Sequence, residues 1–197
     1  VPGVLNGDPR VFENTQLLNQ ISYAEAIELA FYGASVIHPK TLQPLQRKEI
    51  PLYVRSFINP EGSGTSVSKG KTLEPYIPCY ILKPKQVLIR LSSLDFSFIV
   101  EDNISKIFAL LYRHQMRVDL IQNSAISFSV CVNNKYNRLE ELLKNLRSKF
   151  KVTVFENVDL HTVRHFDAKA LASIENQKEK ILLEQRAQET IQYVVER

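Results

Sequence analysis

Apolar residues recur along this chain with two different periods. Between Ile21 and Pro44, ISYAEAIELAFYGASVIHPKTLQP, the spacing is helical: Ile27 and Phe31, backed by Tyr23, Ala26 and Ala30, recur at i, i+3 and i+4 and form one stripe. Ser22-Tyr-Ala-Glu25 opens the helix as a capping box, in which the serine hydroxyl accepts from the third helical amide and the glutamate reaches back to the cap's own N–H. Gly33 falls where a left-handed residue closes a helix, and Ala34 to Ile37 leads back into the core. His38 organises the next turn. Thr41 is placed to cap a second helix, with Pro44 in its first turn, where a missing N–H costs nothing. Pro51 to Ser56 then alternates as a strand does.

The flanks of this block are rich in turn residues. Pro2-Gly3 and Asn6-Gly7-Asp8-Pro9 exclude a regular element, and Asn59 to Thr65 is a glycine-rich loop with neither the Walker lysine nor the Rossmann spacing. From Ser66 to Pro78 the composition turns polar and proline-bearing, which predicts a linker over 66–78.

The second half switches regularly between the two periods. Tyr80 to Lys83 and Gln86 to Leu91 are strands, Ile104, Ile107, Phe108 and Leu111 form a helical stripe, and Val118 to Gln122 is a strand. Ile126, Phe128, Val130 and Val132 alternate with Ser127, Ser129, Cys131 and Asn133, predicting a strand with one buried face. Leu139, Leu142, Leu143 and Leu146 make a second helix, and Val152 to Phe155 a last strand. The order β-α-β-β-α-β is a ferredoxin-like unit, an antiparallel sheet covered on one face by two helices. A shorter run follows, strand 160–166, helix 168–176, strand 181–185 and strand 190–195, which needs the Tyr80 strand or another chain to complete its sheet.

Composition narrows the function classes. With 44% apolar and 23% charged residues in 197, the chain has enough apolar matter for a real core. The net charge of +4 is spread among acidic residues with no basic run, which argues against nucleic acid as the partner. A basic ferredoxin-like RNA-binding domain would present aromatics on its sheet and bind with strong salt dependence. Cys79 and Cys131 fit no metal spacing and are expected as buried reduced thiols in a cytoplasmic protein. His161 and His165, four apart on a strand, stand roughly 13 Å apart at about 3.3 Å per residue, too far to chelate a metal. The opening Val1-Pro-Gly3, without methionine, leads us to expect a chain that begins inside a larger protein.

The residue order of AEAIELAFYGASVIHP, with VPGVLNGDPR before it and IPLYVRSFINPEGSGT after it, resembles the C-terminal part of the kinase domain of aspartate kinases. The resemblance covers essentially the whole chain. It implies an α+β and α/β architecture: a C-terminal piece of an amino-acid-kinase fold over 1–65, the linker, an ACT domain over 79–158 and a short second ACT domain over 159–197. It implies a parent enzyme that uses ATP with Mg²⁺ to phosphorylate L-aspartate, and ACT domains that bind an amino acid effector and pair as a homodimer. Since the family's N-terminal lysine motif and aspartate-binding residues are not in this sequence, the chain by itself is expected to hold no catalytic residue, cofactor or metal. A stand-alone ACT regulatory subunit that pairs with a catalytic chain is the alternative.

Site residues follow from the same resemblance. Leu5, Arg10, Ser35 and Val36 correspond to the nucleotide pocket, where some relatives have tyrosine in place of Leu5 and lysine in place of Ser35; a surface pairing of Arg10 with Asp8 is the competing role. The effector residues are Phe96, Asn103 and Ile104 from the loop 92–103 and the helix it opens, the pair Val118-Asp119, and Ser124. On physical grounds the amides at that helix N-terminus suit the effector's carboxylate, and Asp119 suits its ammonium. Ala125 stands where lysine-inhibited relatives have glutamate, so lysine and threonine both remain open as effector.

Overall fold

The computed structural model describes residues 1–34, 36–95, 97–176 and 180–197. The chain divides into two compact units. The first comprises Val1–Leu82, His161–Lys178 and Arg186–Ile191, and the second Lys83–Leu160, Glu179–Gln185 and Gln192–Arg197.

The first unit opens with β1 (Gln20–Ser22), α1 (Tyr23–Tyr32), α2 (Pro39–Arg47), β2 (Leu52–Val54) and β3 (Thr65–Ser68). β3 is the middle strand, parallel to β1 and antiparallel to β2. Its core gathers Leu18, Ile21, Leu42 and Val67, all withdrawn from solvent, with Tyr23, Ala26 and Leu29 of α1.

Half of the expected capping box forms: Ser22 Oγ accepts from Glu25 N at 3.0 Å. The other half does not, because the Glu25 carboxylate is engaged elsewhere. The buried line of α1 is Tyr23-Ala26-Leu29, and Phe31 is 57% exposed. The stripe read through 23, 27 and 31 is thus turned by part of a turn, since i+3 steps face the sheet here. Gly33 closes the helix at φ 121°, with its N–H on Leu29 and Ala30 carbonyls.

α2 begins earlier than expected. His38 is its cap, with Nδ1 accepting from Lys40 N at 3.2 Å, and Pro39 supplies the preset φ of a first helical position. Thr41 lies in the first turn and does not cap, and Pro44 is inside the helix.

The stretch 66–78 is not a linker. It contains β3, buries Leu73, and places Glu74 so that its N–H reaches Gln20 O at 2.9 Å and its carbonyl accepts from Asn19 N at 2.7 Å. The polar residues that gave it a linker's composition, Ser66 and Ser68, are the half-buried alternate positions of the strand.

The remaining elements are β4 (Cys79–Ser92), α3 (Glu101–Arg113), β5 (Arg117–Asn123), β6 (Ser127–Asn133), α4 (Leu139–Arg147), β7 (Lys151–Arg164), α5 (Ala168–Glu175), β8 (Ile181–Ala187) and β9 (Thr190–Val195). They form one six-stranded sheet in the order β5-β6-β4-β7-β9-β8. Within it, β4-α3-β5-β6-α4-β7 has the ferredoxin-like arrangement, and the shorter run β7-α5-β8-β9 has β4 as the neighbour of its first strand.

β4 and β7 each run for 14 residues where the sequence suggested two strands apiece. Lys85 at φ 57° and Asn157 at φ 56° sit inside them in the left-handed region. Those residues break the two-residue alternation without ending the strand, which is why the pattern looked divided.

In the second unit, Ile107 and Leu111 of α3 and Leu142, Leu143 and Leu146 of α4 pack on Val87, Ile89 and Leu91 of β4 and Phe128, Val130 and Val132 of β6. Each such side chain contributes about 1.5–3 kcal/mol through burial. The opposite face is apolar too: Leu88, Leu120, Cys131, Val158, Leu160, Leu183 and Val194 form a separate cluster. β6 is therefore buried on both faces, Ser129 and Cys131 included, while Ile126 beyond its start is 41% exposed. The expectation of one buried face failed because a six-stranded sheet supplies partners on the side that two helices leave bare.

Candidate nucleotide cavity and effector region

A cavity of about 480 Å³ lies in the first unit, lined by the segment 3–11, by Leu29, Gly33, Ala34 and Val36, and by Cys79–Leu82. Three of the four residues expected at a nucleotide, Leu5, Arg10 and Val36, share this one wall. Ser35 lies outside the described residues.

The segment is fixed from below. Gly3 approaches so closely that an added Cβ would stand 2.6 Å from Thr65 Oγ1, which itself accepts from Val4 N at 2.8 Å and donates to Leu18 O at 2.6 Å. Asn6 anchors the next turn, with Nδ2 donating to Pro78 O at 2.9 Å and Oδ1 accepting from Gln16 N at 2.7 Å.

Arg10 is paired with Asp8 in a two-pronged contact, Nε to Oδ1 at 3.0 Å and Nη2 to Oδ2 at 2.6 Å. The guanidinium holds the Asp8 carboxyl down to about 2. The pairing expected as the competing role thus exists, and it fixes the guanidinium of Arg10, whose side chain is 84% exposed and belongs to the cavity lining, through Nε and Nη2. An apolar floor with one oriented guanidinium suits a flat aromatic base next to an anion.

The residues expected at an effector fall in the second unit. Asn103 caps α3, its Oδ1 accepting from Val100 N at 3.3 Å, and Ile104 and Val118 both pack on the core beneath the helices. Glu101 and Asp102 already complement the positive end of α3. Ser124 sits in the β5–β6 turn with its N–H on Ser127 O at 2.9 Å, and Ile99 N donates to Ala125 O at 2.8 Å, drawing the loop before α3 onto that turn. Phe96 lies outside the described residues.

Asp119 is not waiting for a ligand. Its side chain, 4% exposed, meets Lys83 Nζ at 2.6 Å, with Arg117 Nε at 3.5 Å. A bulge between Val118 and Leu120 places it: Val118 pairs with Val132 and Leu120 with Cys131, leaving Asp119 as the extra residue. Val118 consequently faces the helix-side core and Leu120 the opposite cluster.

A third cluster was not anticipated. Glu25 of α1 receives Arg164 through Nε to Oε1 at 2.9 Å and Nη2 to Oε2 at 2.8 Å, and His165 Nε2 stands 3.0 Å from Oε2. Arg164 Nη1 also donates to Thr190 Oγ1 at 2.9 Å, and His165 Nδ1 lies 3.2 Å from Glu189 Oε2, with the Tyr76 ring 5.0 Å from the imidazole. Burial alone would raise the Glu25 carboxyl; His165 and Arg164 outweigh it and hold the group at about 2. Nothing in the local pattern announces such a cluster, because its members stand 139 residues apart.

Cys79 and Cys131 are free and buried, and burial pushes both thiols up to about 12, so neither is a nucleophile. Among the described residues no group of three His, Cys, Asp or Glu could hold a metal, and no helix is long and apolar enough to cross a membrane.

Residues 1–56 match the amino acid kinase family. Lysine-sensitive aspartokinase 3 of Escherichia coli is 35% identical over 133 residues, which is 68% of this chain and 29% of that protein. The solved structure of E. coli aspartokinase III in complex with lysine and aspartate covers all of this chain with a TM-score of 0.80 at 28% identity, and the same enzyme with aspartate and ADP gives 0.77 at 28%. The chain spans 46% and 47% of those two structures, under half of each. Sequence and fold together place this chain among the aspartokinases, as a stretch matching the end of their amino acid kinase domain and the regulatory region that follows.

Proposed function

We propose that this chain is the nucleotide-flanking and regulatory part of an aspartate kinase acting in the cytoplasm, whose whole protein converts ATP and L-aspartate to ADP and 4-phospho-L-aspartate, the first step toward lysine, threonine and methionine. The observation that carries this is the convergence of Leu5, Arg10 and Val36 on one cavity of about 480 Å³. It is supported by the ADP found with the E. coli neighbour.

ATP supplies the phosphoryl group, and Mg²⁺ bound to it neutralises its charge. Leu5 and Val36 cover the base, and Arg10, aimed by Asp8, faces the phosphates or ribose. The lysine motif and aspartate-binding residues that the resemblance implies for the catalytic centre are not among the residues of this chain, so the chain by itself forms no phosphoaspartate.

Calorimetric titration with Mg·ADP tests the cavity. In the whole protein Mg·ADP binds, and Arg10→Ala weakens binding about tenfold, as loss of one charge-assisted contact does; an unchanged affinity would refute the role of Arg10. Acyl phosphate trapped with hydroxylamine from the isolated chain, ATP and aspartate would refute the division of labour.

The ACT domains, 79–158 and 159–197, sense an amino acid, lysine or threonine, and pair as a homodimer. The effector's carboxylate meets the amides around Asn103 and Ile104, its ammonium meets Asp119, and Val118 and Ser124 border it. The lysine bound to the E. coli relative supports this. Titration with each amino acid, and sedimentation with and without it, tests both parts: no heat with either would end the effector reading, and a monomer at every concentration would end the pairing.

A further inference from the structure

The cation facing Asp119 belongs to the chain itself. Asp119 is the residue displaced from the β5 ladder by the bulge, so its carboxylate leaves the alternation that would have placed it on one face of the sheet. It is nearly sealed from water, and Lys83, with 18% side-chain exposure, closes on it at 2.6 Å. Arg117, 65% exposed and 3.5 Å away, touches it only from outside. Around them stand Leu120 and Cys131, apolar and buried. A sealed carboxylate reached by a slender tetramethylene stem ending in an ammonium is the geometry of a receptor for a primary alkylammonium, with the stem as the ligand's body.

We propose that Asp119 forms a primary-ammonium receptor filled by Lys83, so that an amino acid effector reaches it only by displacing this internal occupant. The idea rests on the effector role of Asp119 proposed above and makes Lys83 the residue that sets sensitivity. A lysine is suited to such exchange. Its ammonium is a compact, strongly hydrated point charge on a flexible stem, whereas an arginine fork would hold the carboxylate by two bonds at once. Lys83 is also partly in contact with water, so it has somewhere to go when displaced.

Chemical rescue tests the receptor without presupposing any effector. Lys83→Ala in the full chain leaves the Cβ and removes three methylenes and the ammonium, a volume that n-propylammonium fits. The variant melts about 5–10 °C below the parent, as expected for stripping the closest partner from a buried charge. At tens of millimolar, n-propylammonium restores several degrees, tetramethylammonium at equal ionic strength restores none, and the parent chain responds to neither. If Lys83→Ala does not fold in buffer alone, refolding it in the two salts asks the same question. Equal effects of the two salts, or rescue that persists in Lys83→Ala/Asp119→Ala, would overturn the receptor.

Titration with lysine and threonine then addresses displacement. Binding at least tenfold tighter to Lys83→Ala than to the parent supports it, and equal binding to the two overturns it. Rescue by n-propylammonium with no amino acid binding to either chain overturns displacement and the effector role of Asp119 while leaving the receptor intact.

Discussion

Glu25 in the first unit and Asp119 in the second are both withdrawn from water, at 9% and 4% side-chain exposure, yet they are held by cations of different kinds. Glu25 meets the planar fork of Arg164 through two parallel bonds and His165 from the side, on a carboxylate already placed by a capped helix. Asp119 meets the single ammonium of Lys83 at a bulge. The fork defines an orientation and loses little rotamer freedom per bond, whereas the point charge defines only a distance. A fastening belongs at the first site and an exchangeable contact at the second.

The largest effect that tests this contrast is at Arg164. Arg164→Ala leaves Glu25 facing only an imidazole and should lower stability by about 3–5 kcal/mol in urea unfolding. Arg164→Lys should recover only part of it, because one ammonium cannot span both oxygens; full recovery would erase the contrast.

Acid provides the next test. Glu25 is held at about 2 in the folded chain against an ordinary value of 4.5. Because its folded value is the lower one, its contribution is complete above 4.5 and is lost as the pH falls toward 2. Urea midpoints of the parent should therefore drop between pH 4.5 and pH 2, more steeply than those of Glu25→Gln, and equal slopes would show that Glu25 is not held as described.

Ser22→Ala, which removes the hydroxyl that caps α1 beneath Glu25, should cost about 1 kcal/mol. At the small end, Arg117→Ala should change stability by less than about 1 kcal/mol, as a contact 65% exposed at 3.5 Å does. A loss comparable with that of Lys83→Ala would make Arg117, not Lys83, the working cation of Asp119.

Much of the fold was legible because periodicity reports which face of an element is covered. The apolar stripes of α3 and α4 led to Ile107, Leu111, Leu142, Leu143 and Leu146, and all five are buried. Periodicity does not report what does the covering. Cys131 and Ser129 look like the wet side of β6 until β7 and β9 supply Val158, Leu160 and Val194 as members of a second cluster. Nor does it tell a break from an end, so the left-handed Lys85 and Asn157 made two long strands look like four.

At the sites, Leu5, Arg10 and Val36, which only the family resemblance singled out, line one cavity. The partners of the buried charges were not visible. Local geometry permits Glu25 to close its own helix cap, but an arginine and a histidine arriving from 139 and 140 residues away compete for the same carboxylate and win it.

The continuity of β4 and β7 bears on how the molecule can be taken apart. β4 is flanked by β6 on one side and β7 on the other. A chain ended near residue 150 would therefore leave a full row of amides and carbonyls along β4 without neighbours, an invitation to self-association. Deletion from the C-terminus should yield aggregates in place of a smaller soluble piece, and studies of the two halves are better served by point substitutions than by scissors.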